Sequence, residues 1–202
     1  MGAGLCPHMK YHQLSWWIFI NWSEVIYWFI IYAMRIEIIG YSGAGKSTLA
    51  EILAKHYGIA HLYMDTTQFY GKMNTRSVEE QEKLVNEFLD THEDWVIDGN
   101  YYDVAKRRFE LCDEIYFLDY NRFYCLFEAI KRYIRNYNQY RESLGSIESF
   151  DFSFLMWILK DGRTKEYKRK HLDHLNSVDK RHHFKSRREL IKYLKEKGIV
   201  ED

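Results

Sequence analysis

The 202-residue chain lacks a net charge, with 29 Lys and Arg against 29 Asp and Glu. That argues against a generic polyanion binder, because sequence-independent grip on phosphate backbones needs a clear excess of cations. It is poor in cysteine: Cys6, Cys112 and Cys125 are an odd number without paired short spacing. Neither a disulfide framework nor a zinc knuckle is indicated, and a reducing, cytoplasmic interior fits best. Internal repeats and low-complexity tracts are missing, and there is a single proline, Pro7. What is present is a 47% hydrophobic, 17% aromatic composition, that of a chain with a core rather than a disordered one. The length predicts one domain with room for a small inserted or appended piece.

Charge is scarcest in residues 1–33, where only Lys10 and Glu24 are ionisable by the same count, while four of the six tryptophans gather there (Trp16, Trp17, Trp22, Trp28). Leu14 to Ala33 is about the 20 residues a bilayer span requires. Glu24 at its middle costs about 2.5–3.5 kcal/mol on insertion scales, Asn21 adds to that, and no cleavage site follows a compact apolar run. Three readings of residues 1–33 stand: a membrane or interfacial segment, an extra packed helix, or an upstream frame ahead of a true start at Met34. The mass of the native N-terminus distinguishes the last from the others.

From Met34 to Asp202 the sequence alternates short apolar runs with helical patterns, the spacing of βαβ units. Strands are predicted at Ile36–Ile39, Ile59–Met64, Trp95–Ile97, Ile115–Leu118 and Val178–Phe184. Helices are predicted at Lys46–Tyr57, closed by Gly58, at Val78–Thr91, at Val104–Leu111 and at Arg122–Tyr140. Ser77-x-x-Glu80 and Ser186-x-x-Glu189 have the form of capping boxes. Parallel strands need helical crossovers, so the expectation is an α/β fold with a five-stranded parallel sheet covered on both faces. Residues 136–170 break the alternation and read as a small helical insertion, a lid over the active face.

Gly40-Tyr-Ser42-Gly43-Ala44-Gly45-Lys46-Ser47-Thr48 satisfies G-x-x-x-x-G-K-[ST], between a strand ending at Ile39 and a helix opening at Lys46. Glycines at 40, 43 and 45 let backbone N–H groups turn inward on a phosphate. Lys46 brings a cation to the β- and γ-phosphates, Ser47 can ligate Mg2+, and the helix adds its N-terminal dipole. Gly40 and Ser42 to Thr48 are therefore the predicted ATP site, with ATP and Mg2+ as cofactors. Asp98, at the tip of the Trp95–Ile97 strand, is placed to hold the metal through water. Asp65, off the second strand, lies on the ligand edge of such a sheet. Arg122, Arg132 and Arg135 are the candidates for neutralising a transferred phosphoryl group or gripping its acceptor, the last two one turn apart on a helix. His171, His174, His182 and His183 lack partners at metal-site spacing and read as core or surface side chains. Cys112 and Cys125 read as small hydrophobes.

These segments, together with Leu-Tyr-Met-Asp65, Trp-Val-Ile-Asp98-Gly-Asn-Tyr, Phe-Leu-Asp119-Tyr-Asn-Arg122 and Trp157-Ile-Leu-Lys-Asp-Gly-Arg163-Thr-Lys, resemble the adenylate kinase-like DNA topology modulation proteins (FlaR-type) over Met34 to about Lys197. The resemblance implies a three-layer P-loop NTPase fold of the nucleoside monophosphate kinase type, with ATP at Gly40–Thr48. The wider relatives carry Asp-Gly-x-Pro-Arg, whose Arg grips the acceptor phosphate; here the sequence is Asp98-Gly-Asn-Tyr-Tyr102. The leading expectation is a kinase that transfers phosphate from ATP to a nucleotide or other small acceptor. Its catalytic residues are Lys46, Asp98, Arg132 and Arg135, with Asp65 and Arg122 meeting the acceptor and Ser47 and Asp98 serving Mg2+. The alternative is an ATP-dependent regulator of DNA topology without turnover, touching DNA through the basic run in the 160s. A membrane partner enters only with residues 1–33.

Overall fold

The computed structural model describes residues 33–71, 74–137, 139–147 and 151–201. The chain divides into two units, residues 1–33 and Met34–Asp202. The readings of the apolar N-terminal segment fall on residues 1–32, outside the described residues; among those described, no helix is long and apolar enough to cross a membrane.

The second unit begins with β1 (Arg35–Gly40), whose Ile36, Ile38 and Ile39 are completely buried. It is the middle strand of a five-stranded sheet. Its neighbours are β5 (Trp95–Asp98) on one side and β6 (Glu114–Leu118) on the other, with β2 (Ala60–Tyr63) and β9 (Lys180–Phe184) at the edges. Every pairing in that sheet is parallel, as near-continuous apolar strands require. In the spatial order β2-β5-β1-β6-β9 the crossover from β1 runs toward the β2 edge and that from its neighbour β5 runs toward the β9 edge, so the connections of these two adjacent strands leave in opposite directions. That switch point is where open α/β sheets bind ligands. The α/β three-layer expectation holds, and all five predicted strands occur.

Helices fill the crossovers: α1 (Lys46–Tyr57), α2 (Met64–Gln68), α3 (Val78–Thr91), α4 (Arg107–Leu111), α5 (Arg122–Arg135), α6 (Phe152–Leu159), α7 (Lys165–Asn176) and α8 (Arg187–Glu196). Strand alternation splits the core. On β5, Trp95 and Ile97 pack with Val85 and Leu89 of α3, whereas Val96 joins the larger cluster that holds Leu49 and Leu53 of α1. Gly58, at φ 68°, closes α1 as expected. Ser77 accepts from Glu80 N–H while Glu80 accepts from Ser77 N–H, a complete capping box. At Ser186 only half of the box forms; Glu189 reaches back one residue further, to Lys185 N–H.

Two helix predictions run too long. The stretch predicted from Val104 starts as α4 only at Arg107, because Ala105 sits at φ 49°, outside helical geometry. The one predicted to Tyr140 stops at Arg135, with Asn136 as its cap. Two short hairpins and α2 were absent from the prediction: β3 (Phe69–Tyr70) with β4 (Asn74–Thr75), and β7 (Tyr140–Arg141) with β8 (Ser146–Ile147). Ser146 Oγ donates to Gly71 O at 2.9 Å and a bridge joins the same residues, so the hairpin in the 136–170 stretch lies against the β3–β4 hairpin.

Candidate nucleotide and acceptor site

The loop between β1 and α1 wraps the N-terminus of that helix. Gly45 caps it at φ 90°, and a Cβ there would meet nothing within 4 Å. Gly43 is the opposite case: a Cβ would lie 2.3 Å from the Cys125 carbonyl oxygen on α5. The loop is therefore pressed against α5 on one side and open on the other. Among the described residues the N–H groups of Gly43, Gly45 and Lys46 find no acceptor, leaving a cradle of donors beside a helix N-terminus, the arrangement that takes a phosphate. The Lys46 ammonium folds over this cradle, donating to Gly40 O at 3.0 Å and Tyr41 O at 3.3 Å. Burial lowers its pKa, while Asp65 and Asp98 pull the other way. An anion in the cradle would favour its charged form.

Ser47 Oγ donates to Asp98 Oδ2 at 2.7 Å. A hydroxyl and a carboxylate in contact at the mouth of the loop are the donor set a Mg2+ ion with bound phosphates uses, so the residues fit the metal. His61, on β2, completes this corner with Nε2 3.4 Å from Asp98 Oδ1.

The segment after Asp98 braces the site. Asn100 accepts from Gly40 N–H at 3.0 Å and donates to Gly40 O at 2.9 Å, clamping the first loop glycine by both backbone groups. Tyr101 donates its hydroxyl to Asp65 at 2.6 Å. Beneath them Arg108 is wholly buried. Its Nη1 meets Glu37 at 2.6 Å, and its Nη2 donates to the carbonyls of Gly99, Asn100 and Tyr101 at 3.2–3.4 Å. Burial drives the Glu37 carboxyl up, to about 8, against the opposing pull of Arg108. One guanidinium thus fixes the turn that positions Asp98, Asn100 and Tyr101.

Asp65, Asp98 and the glycine loop come together, and Arg132, half-buried on α5, lies close enough to Lys46 for its charge to be felt there. Arg135 is exposed in the last turn of α5. Arg122 donates to Leu159 O at 2.9 Å, tying the end of α6 to the start of α5. Sequence reasoning passed over Arg163 as a site residue. The turn Asp161–Arg163 delivers its guanidinium to within 3.5 Å of the Tyr41 ring centroid, and Nη1 donates to Tyr120 O at 2.7 Å. Part of the 136–170 stretch therefore touches the nucleotide loop directly. Asn100, Tyr101, Arg108 and His61 were also missed. Their partners lie tens of residues away, and only the Asp-Gly turn after an apolar strand marked the place.

A cleft of about 520 Å³ opens beside β2. His61, Tyr63, Thr66, Phe69, Arg76 and Glu142 are among its walls. His61 belongs both to the cleft and to the Asp98 corner, so the two are contiguous.

The basic run in the 160s is partly neutralised. Lys168 lies 3.9 Å from Asp119, Arg169 4.0 Å from Asp173 and Lys170 3.8 Å from Asp103, the long solvent-facing pairs of a charged helix exterior. His171 is a core residue, ringed by Tyr41, Tyr102 and Phe117. Burial, with Lys46 and Arg163 nearby, lowers its pKa to about 3.

No family model matches the chain, and no curated protein matches it. The resemblance to the DNA topology modulation proteins therefore gains no support from either comparison. Among solved structures the chain is similar to a shikimate kinase from Acinetobacter baumannii in complex with shikimate. The two are 14% identical, the match covers 83% of this chain and 94% of that one, and the TM-score is 0.47. A likeness at that level carries no argument about the chemistry of this site.

Proposed function

We propose that the chain is an ATP-dependent phosphotransferase acting on a small acceptor. The observation that carries this reading is the Ser47–Asp98 contact at 2.7 Å beside an open glycine cradle capped by Lys46. ATP would place its β- and γ-phosphates in the cradle, held by the N–H groups of Gly43, Gly45 and Lys46 and by the Lys46 ammonium. Mg2+, held by Ser47 and through water by Asp98, would neutralise charge on the phosphates. Arg132 adds a second cation on the α5 side, and the exposed Arg135 would reach the site only by moving. Arg122 holds the 136–170 stretch as a lid rather than touching the acceptor. Asp65, fixed by Tyr101, orients the acceptor, which enters through the cleft that shares His61 with the Asp98 corner. Catalysis in such a site is positioning and charge neutralisation.

Calorimetric titration of the full chain with ATP and Mg2+ tests the nucleotide half. Lys46→Ala is expected to weaken binding at least about tenfold, roughly 1.4 kcal/mol, and equal affinity in both proteins would overturn the reading. Transfer from labelled ATP to nucleoside monophosphates and small hydroxy compounds tests the acceptor half.

A further inference from the structure

Arg76 stands between β4 and α3, and its backbone is fixed at both ends: its N–H donates to Gln68 O at 2.9 Å, and Gln81 Nε2 donates to its carbonyl at 3.1 Å. Its guanidinium is fixed as well. Nη1 donates to Thr66 O at 2.9 Å, Thr67 O at 3.3 Å and Phe69 O at 3.2 Å, the last turn and exit of α2, and Cζ lies 4.8 Å from the Tyr70 ring centroid. All three of those bonds use one nitrogen. The edge made by Nε and Nη2 has no acceptor among the described residues, and Arg76 lines the cleft. Two parallel donors on a guanidinium edge match the two oxygens of a carboxylate or phosphate. Because the side chain is already held by three carbonyls and a ring, little of its rotamer freedom is left to lose when a ligand binds. Glu142 also lines the cleft, on the side where its charge acts on Tyr63, and no ion pair joins it to Arg76 among the described residues. The cation is thus offered to a ligand rather than spent on the neighbouring carboxylate.

We propose that Arg76 makes the cleft an anion subsite, so that the acceptor carries a carboxylate or phosphate group gripped by the Nε–Nη2 edge. The inference rests on the reading of the cleft as the acceptor site. It also supplies, from a different element, the acceptor-gripping cation that Asp98-Gly-Asn-Tyr-Tyr102 lacks.

The test titrates the full chain, saturated with Mg2+ and a non-hydrolysable ATP analogue so that the glycine cradle is filled, with benzoate, phenyl phosphate, benzyl alcohol and benzylammonium. At least one of the two anions is expected to bind, and which one does separates a carboxylate from a phosphate acceptor. Arg76→Met is expected to weaken that anion at least tenfold without changing benzyl alcohol or the ATP analogue, and Arg76→Lys to restore part of the loss. A purely structural role for Arg76 would move charged and uncharged probes together. Glu142→Gln, which leaves the bracing of Arg76 untouched, is expected to tighten the anion severalfold. Anion affinity that survives Arg76→Met, a wild-type protein that binds neither anion, or a preference for benzylammonium would each overturn the inference. If the ATP analogue does not bind, the nucleotide reading fails alone; the same series on the Lys46→Ala chain then decides the role of Arg76.

Discussion

Asn100 carries two bonds to a single residue, the first glycine of the phosphate loop, one to each of the peptide groups that flank its Cα. Asn100→Ala removes them together, so ATP affinity is expected to fall by up to about thirtyfold, the ~2 kcal/mol that two such bonds contribute. Calorimetry on wild type and variant measures it, with unchanged Lys46-dependence showing that the cradle itself is intact. Two glycines of the same loop should separate stability from binding. Both have positive φ, a strain of about 1–2 kcal/mol for any residue with a Cβ. Gly43→Ala adds a collision with the Cys125 carbonyl, and Gly45→Ala adds none. The expected result is a markedly lower unfolding midpoint for Gly43→Ala than for Gly45→Ala. A common midpoint would mean that the loop does not press on α5.

Between elements, the joint that matters most is Arg108 of α4 against Glu37 of β1, both without solvent exposure. Removing one partner of a buried pair costs about 3–5 kcal/mol. Arg108→Met is therefore expected to lower the urea midpoint severely and to loosen the 99–101 turn. Glu37→Leu combined with Arg108→Met should recover part of that stability. It should not recover ATP affinity, since the three carbonyls stay without their donor. This joint also marks where sequence reading stops. Caps at Ser77 and Gly58 were legible because their partners sit within four residues, and the glycine loop because phosphate binding demands fixed spacing. Arg108 and Glu37 are 71 positions apart. A charged residue inside an apolar strand pattern looks like an exposed face until the partner is placed. The same holds for Arg76, whose three carbonyl partners lie on, and one residue past, a five-residue helix too short to show a period.

Taken over the whole molecule, acid tolerance depends on buried groups, His171 beside the nucleotide loop and Glu114 on β6. His171 has a folded pKa near 3, depressed by burial. Unfolded, it titrates near 6.5, so the unfolded state alone binds the proton between those values. Stability from this residue is present above about pH 6.5 and is lost as pH falls toward 3, at up to about 1.4 kcal/mol per pH unit. Glu114 adds to the loss below about pH 4.5. Burial raises its pKa, but hydrogen bonds from His182, Lys180 and Tyr116 outweigh that and hold it to about 2. Glu37, whose buried carboxyl is held up, works in the opposite sense above about pH 4.5, so the His171 contribution is read as a difference: between pH 6.5 and 4.5 the urea midpoint of wild type should fall relative to that of His171→Gln. A slope unchanged in the variant would place the acid sensitivity elsewhere.

On one side the sheet ends at β9, whose Lys180, Arg181 and His183 are exposed, Lys180 pairing with Glu114 and His183 with Asp119. An outermost strand offers unpaired backbone groups to any passing chain. Here a second copy approaching along that rim would have to strip water from charged and polar side chains, two of them already paired with Glu114 and Asp119, before backbone could meet backbone. Side chains that pair with acids on and just after β6 within the fold thus also act on encounters between molecules, hindering a strongly hydrophobic parallel sheet from extending itself.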